Sequence, residues 1–216
     1  FRIGSFTKVF TASVVFGLIE EGKLNLDDTM EELFSGESWY PTDSKIKAYF
    51  DGITIRNLLQ HTSGIADYTT LIFANLFQLP AKVYDREALL KPALEISPVP
   101  EHTTMECKDG PEFKDGFTVG KDIKYSNTNY LLLGLAIEKA TGLPVEQAFR
   151  EKLLLPGRLF KTAFPEDPGI PYHLVQGYMI SPIERLDAMG VLVPPVDPAI
   201  PTPESGMVRA NVTYSS

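Results

Sequence analysis

A chain made mostly of helix and loop is what this sequence predicts, on three observations. Residues 5–21 and 128–141 are apolar enough to be buried helices. Several shorter stretches carry helical spacing, and clear strand alternation is scarce from end to end. No internal repeat or low-complexity tract points to a solenoid or a disordered linker.

The elements follow in order. In residues 5–21, Val9, Phe10, Ala12, Val14, Val15, Phe16, Leu18 and Ile19 cover most of a helix surface, and Gly22 supplies a C′ stop. A polar stretch with Gly36, Trp39 and Pro41 then reads as loop. Residues 54–61 form a short helix with Thr54 as N-cap, ending before Ser63-Gly64. Residues 69–79 and 84–95 are helical in spacing, the second opened by Asp85. Pro, Gly, Asp and Lys dominate residues 97–124, a long loop with room for a hairpin. In residues 128–141, Leu131, Leu132, Leu133, Leu135, Ala136 and Ile137 make the apolar bulk, and Gly142 is the stop. Residues 144–155 are a further helix with Pro144 in its first turn, and beyond Pro156 the chain turns irregular and proline-rich.

Composition excludes some functions. At 216 residues, 44% apolar and 22% charged, the chain is ordinary for a globular protein. A net charge of −8 without any basic run argues against nucleic acid and anionic membrane as partners. No apolar run reaches the roughly 18 residues that a membrane span needs. A single cysteine, Cys107, closes no disulfide within the chain. His61, His102 and His173 are far apart, so nothing calls for a metal or a cofactor.

Ser5-Phe6-Thr7-Lys8 sets a hydroxyl and an amine on one helix face at the start of the first apolar helix. A serine hydroxyl needs a base before it attacks a carbonyl, and a lysine in a partly desolvated site can serve. The helix start adds backbone N–H groups for a developing oxyanion. The bland alternative is an N-cap serine with a solvated lysine. Such spacing arises by chance, and a second copy at Ser44-Lys45-Ile46-Lys47 lies in the polar stretch and is assigned to solvent. Tyr125-Ser126-Asn127 precedes the second apolar helix. A tyrosine beside an ammonium can act as base and then acid, and an asparagine can accept from a lysine while donating to a substrate carbonyl. The alternative here is a packed tyrosine ring with Asn127 as N-cap.

The combination is more specific than either piece. The run from Phe1 through Lys8, followed by Glu20-Glu21-Gly22-Lys23-Leu24-Asn25-Leu26-Asp27, resembles the active-site opening of the serine β-lactamase and penicillin-binding DD-peptidase family. The stretch Thr54-Ile55-Arg56-Asn57-Leu58-Leu59-Gln60-His61-Thr62-Ser63-Gly64 is similar to a second landmark, and Tyr125-Ser126-Asn127-Thr128-Asn129-Tyr130 to a third. With Tyr-x-Asn in place of the Ser-Asp-Asn of class A enzymes, the resemblance is to class C β-lactamases and to D-alanyl-D-alanine carboxypeptidases and esterases of that type. It implies an α+β, β-lactamase/DD-peptidase-like fold, of which residues 1–216 are one incomplete catalytic domain. Residues 1–30 would hold the active-site helix and about 40–200 a mostly helical subdomain with loops, most strands of the central antiparallel sheet being missing.

The same resemblance implies Ser5, Lys8 and Tyr125 as catalytic residues, with Lys8 or Tyr125 as the base. Asn127 and Phe73 would contact a small-molecule or peptide substrate through its amide, β-lactam or ester carbonyl. It further implies an extracytoplasmic location. His61, at a helix end, reads as structural, because the family's Lys/His-Thr-Gly strand motif follows Tyr-x-Asn and none does so here. Glu204-Ser205-Gly206-Met207-Val208 resembles the Gly-rich turn before a further helix. Without the strand that supplies the second oxyanion N–H, the 216 residues alone should lose ~10²–10³ in rate, so activity is expected of a longer parent. The competing readings are a homologue kept as a non-catalytic scaffold and a helical interaction module.

Overall fold

The computed structural model describes residues 3–70, 84–95, 97 and 117–164, together with strand residues 178–180, 185–186, 192–193 and 207–209. A 3₁₀ turn, Gly4–Phe6, runs directly into α1, Thr7–Glu20. Gly22 follows at φ 69°, and the Lys23 N–H returns to the Leu18 carbonyl, closing the helix as a Schellman-type stop does. Burial all round α1 was the expectation. Instead Thr11, Val14, Val15 and Leu18 are buried while Phe6, Val9 and Phe16 face outward, because the described elements pack against one side only.

The stretch read as loop contains two helices. These are α2, Met30–Phe34, and α3, Ser44–Asp51. Both are too short for periodicity to reveal, and both are set by their caps. Thr29 and Glu32 form a capping box, and the Asp43 carboxylate accepts from the Lys45 and Ile46 N–H groups. Ser44 is therefore the exposed first residue of a helix, and Lys47 pairs with Asp51 and Glu31 rather than standing free in solvent. Trp39, Tyr40 and Phe50 are buried with Phe34 in an aromatic cluster.

Next comes α4, Ile55–Gln60, capped by a box between Thr54 and Asn57 and ended by His61 in the left-handed region. Residues 68–70 are helical, and residues 71–79, including Phe73, lie outside the described residues. Then α5 spans Arg86–Glu95, with the Asp85 carboxylate accepting from the Ala88 N–H. The second apolar helix is α6, Asn127–Thr141, stopped by Gly142 at φ 70°. It is followed by α7, Val145–Phe149, and a π turn, Arg150–Leu154. Pro144 takes the N-cap position, one residue before the first turn.

Four short strands complete the described residues. Strand β1, Tyr178–Ile180, pairs antiparallel with β4, Met207–Arg209, and β2, Arg185–Leu186, pairs with β3, Leu192–Val193. Runs of two or three residues are too brief for alternation to show in a sequence. Met207-Val208 lies in a strand.

The core lies where α6 meets its neighbours. Leu131, Leu132, Leu133, Ala136 and Ile137 pack with Val14, Val15 and Leu18 of α1 and with Ile55 and Leu58 of α4, and Phe149 of α7 joins the same cluster. Glu138 binds α6 to its surroundings twice, pairing with Arg86 and accepting from the Val145 N–H at 3.0 Å. The heads of α1 and α6 are thereby brought side by side.

Candidate active site

The site begins with two helix starts that carry no cap. Neither Ser5 nor Asn127 is used as an N-cap. No side chain caps the turn at Gly4–Phe6, α1 or α6, and Asn127 is the first residue of α6. The bland alternatives for these residues are not what the structure contains. Their polar atoms point toward one another across the two helix heads.

Ser5 Oγ lies 3.0 Å from the Tyr125 hydroxyl, across 120 residues of sequence. Lys8 Nζ donates to Asn127 Oδ1 at 2.6 Å and stands 3.4 Å from Ser5 Oγ. The Tyr125 hydroxyl also reaches Asn127 Oδ1, at 3.3 Å. Hydroxyl, amine, phenol and amide thus form a closed ring of hydrogen-bond contacts. The Lys8 ammonium further sits 5.2 Å from the Tyr125 ring centre and 5.6 Å from that of Tyr130, within cation–π range. Tyr125 is 50% exposed, so its phenol is reachable from outside. A shallow cleft open to solvent is lined by Gly4, Ser5, Thr7, Lys8, Tyr68, Asn127 and Tyr130.

A loop between α4 and residue 70 orients these groups. Asn127 Nδ2 donates to Asp67 Oδ2 at 2.9 Å and to Thr69 Oγ1 at 3.4 Å, which turns Oδ1 toward Lys8. Ser126 Oγ and Thr128 Oγ1 both donate to the Ala66 carbonyl, and Thr128 Oγ1 accepts from the Tyr68 N–H. Gly64, at φ 75°, lets Tyr49 and Phe117 close on the same loop. A Cβ there would lie 2.6 Å from the Tyr49 hydroxyl and 2.7 Å from the Phe117 ring.

His61 stands behind the phenol, its ring centre 4.6 Å from that of Tyr125 and 5.2 Å from that of Tyr130. Burial first, and the Lys8 cation second, hold its pKa below the usual imidazole value, against the opposing pull of Asp67. Burial and then the nearby Tyr125 push the Tyr130 phenol above its ordinary value, and its hydroxyl donates to the Leu59 carbonyl at 3.2 Å.

Of the residues singled out in the sequence, Ser5, Lys8, Tyr125 and Asn127 come together, and Phe73 is outside the described residues. Sequence reasoning did not single out Asp67, Tyr68 or Tyr130. Tyr130 sits one helical turn past Asn127 and so shares its face, a spacing that could have marked it. Asp67 carried no such signal. Among the described residues, no three His, Cys, Asp or Glu side chains gather as a metal site, and no helix is long and apolar enough to cross a membrane.

The sequence profile of the family described as Beta-lactamase matches residues 1–210. The chain belongs to the β-lactamase family. Within that family it is 30% identical over 162 residues to penicillin-binding protein 4* of Bacillus subtilis, covering 75% of this chain and 30% of that protein. It is 29% identical over 179 residues to penicillin-binding protein 4 of Amycolatopsis lactamdurans, covering 83% of this chain and 40% of that relative. Among solved structures, a D-stereospecific amidohydrolase from Streptomyces superposes with a TM-score of 0.62 at 31% identity. That match covers 82% of this chain and 48% of the enzyme. The chain therefore has a β-lactamase/penicillin-binding-protein-like fold, and it spans less than half the length of each of these three relatives.

Proposed function

We propose that Ser5 is the nucleophile of an acyl-transfer hydrolase, with Lys8 and Tyr125 as its proton-transfer pair and Asn127 as a substrate-orienting group. The observation that carries this reading is the 3.0 Å contact between Ser5 Oγ and the Tyr125 hydroxyl, with Lys8 Nζ 3.4 Å from Ser5 Oγ and bound to Asn127 Oδ1, which the phenol also reaches. These distances lie within or near the reach that proton transfer needs. With the pair one proton short, as Lys8 amine beside Tyr125 phenol or Lys8 ammonium beside Tyr125 phenolate, the Ser5 proton leaves for the free amine or phenolate oxygen as Oγ forms a bond to the substrate carbonyl carbon. Electrons displaced onto the carbonyl oxygen are met by the Ser5 backbone N–H, since the Phe6 N–H is spent on the Ile3 carbonyl. Collapse expels the amine or alkoxide, which takes the proton back from the pair and leaves an acyl-enzyme on Ser5. Water, activated by the same pair, then releases the acid.

The substrate is an amide, β-lactam or ester carbonyl. Resemblance to penicillin-binding proteins and to a D-stereospecific amidohydrolase puts amides next to a D-amino acid first among these. Because the chain spans 48% of that amidohydrolase, the activity is proposed for the protein in which these residues are joined to the rest of the domain. The exposed stripe of Phe6 in the 3₁₀ turn with Val9 and Phe16 of α1 is where the remaining sheet would pack, and an extracytoplasmic location fits the penicillin-binding relatives.

Treating the full-length protein with a labelled penicillin or fluorophosphonate, then mapping the adduct by mass spectrometry, tests this reading. Label is expected on the peptide holding Ser5 and absent from Ser5→Ala. A folded full-length protein that takes no label and hydrolyses neither D-amino-acid amides nor p-nitrophenyl esters would instead be a non-catalytic homologue.

A further inference from the structure

We propose that His61 is a positioning residue for this site, a neutral imidazole with its proton on Nε2 that fixes the Tyr125–Asn127 backbone and supports the Tyr125 ring. The inference rests on the functional reading above and concerns a side chain that touches none of the reacting atoms.

The hydrogen bonds decide the tautomer. His61 Nδ1 faces two donors, the Ser126 N–H at 3.2 Å and Asn129 Nδ2 at 3.1 Å. A backbone N–H can only donate. The Asn129 amide is oriented independently, since its Oδ1 accepts from Ser63 Oγ at 2.6 Å, and both residues are fully buried. Nδ1 must therefore present a lone pair, which leaves the ring proton on Nε2.

The backbone holds the ring in place. His61 ends α4 at φ 57° and ψ 32°, a conformation uncommon outside glycine, and such strain persists where the surroundings impose it. Its carbonyl accepts from the Lys124 N–H at 2.8 Å, so the segment entering Tyr125 is clamped just before the phenol and, at Ser126, just after it. Between the two clamps, the imidazole lies against the Tyr125 ring at a tilt of 31°. A phenol that is half exposed is thereby kept within reach of Ser5.

Protonating Nδ1 would set an N–H against two others and release the Ser126 clamp. The titratable groups facing the ring are Lys8 from α1, Asp67 from the loop after α4, and the phenols of Tyr125 and Tyr130; Lys124 meets it through backbone. The Lys8 cation and burial resist protonation, and Asp67 favours it.

The test uses the full-length protein. Nitrogen-detected NMR of the imidazole is expected to show Nε2 protonated and Nδ1 bare at neutral pH, a readout that needs no turnover. His61→Asn keeps a residue tolerant of the left-handed conformation but removes the ring. It is expected to lower the acylation rate about 10²-fold, as small misplacements of reacting groups do, with KM little changed. The acid side of the rate profile is expected to change in that variant. Should His61→Asn fail to fold, His61→Gln replaces it. An Nδ1–H tautomer or an imidazolium at neutral pH overturns the inference, and so does a folded variant with an unaltered rate and pH profile. A wild type that never acylates on Ser5 while showing the expected tautomer places the failure in the functional reading, and the positioning role falls with it.

Discussion

Asp67→Asn changes one atom's chemistry and no volume, and the hydrogen-bond geometry says what should follow. Both carboxylate oxygens of Asp67 are in use. Oδ1 accepts from the Thr69 N–H at 2.9 Å, and Oδ2 accepts from Asn127 Nδ2 at 2.9 Å. An asparagine has one acceptor oxygen, and the local turn to the buried Thr69 N–H claims it. Residue 67 then turns an NH₂ toward Asn127 Nδ2, donor against donor. Asn127 relieves this by flipping its amide, which points Nδ2 at the Lys8 ammonium in place of the oxygen now bound at 2.6 Å. A hydrogen bond to a charged group contributes about 1.5–3 kcal/mol. At about 1.4 kcal/mol per factor of ten, losing it should slow acylation of Ser5 roughly 10- to 10²-fold. Single-turnover acylation of the full-length protein by a fluorescent penicillin or a fluorophosphonate measures this, with thermal melts as a control. An unchanged rate in a D67N protein that melts like the wild type would refute the argument that Asp67 orients Asn127 toward Lys8.

Three further outcomes follow from the same geometry. Tyr125→Phe removes the hydroxyl beside Ser5 but leaves the ring on His61, so acylation should fall ~10²–10⁴-fold with stability little altered, measured by the same acylation and melting experiments. Gly64→Ala combines a φ of 75° with overlap on Tyr49 and Phe117, and urea unfolding should show a loss greater than about 1 kcal/mol. Stability should fall in acid because folding holds the His61 pKa down, chiefly by burial and then by Lys8. The folded imidazole stays neutral where the unfolded one takes up a proton, so its contribution is complete above about pH 6.5. It is lost as pH drops from there through the folded value, and His61→Asn should flatten that part of a stability–pH curve.

How much of this could be read beforehand depended on the length of each signal. Helices α1 and α6 are long, apolar and closed by Gly22 and Gly142, and their bounds were legible to within about two residues. Helix α4 was legible through Thr54, its cap. Helices α2 and α3 were missed, since eight residues or fewer show too few turns and only Thr29 and Asp43 mark their starts. Ser5, Lys8, Tyr125 and Asn127 stood out because their types and order match a family's motifs, not because spacing alone singled them out. Asp67 and the acceptor face of His61 were not legible. Their roles depend on which atom of a side chain faces which donor, and that is decided by the loop from His61 to Thr69 folding over the head of α6.

That loop also explains how a half-exposed phenol can be held to one position. Ser63, Ser126, Thr128 and Asn129 are polar and fully buried, a costly arrangement unless every group finds a partner. Each does: Ser63 with Asn129, Asn129 with His61, and Ser126 and Thr128 with the Ala66 carbonyl. Slipping the loop by one residue against α6 would break several of these bonds together and leave buried groups unpaired, so one register is favoured far above its neighbours. The register is set in the buried layer and passed outward through the chain. Ser126 lies between Tyr125 and Asn127, and the same packing of α6 on α1 that buries Leu132 and Val15 brings those two residues over Ser5 and Lys8. The positions of the polar groups at the surface are therefore a consequence of the apolar and polar core beneath them, and their arrangement needs no separate source of rigidity.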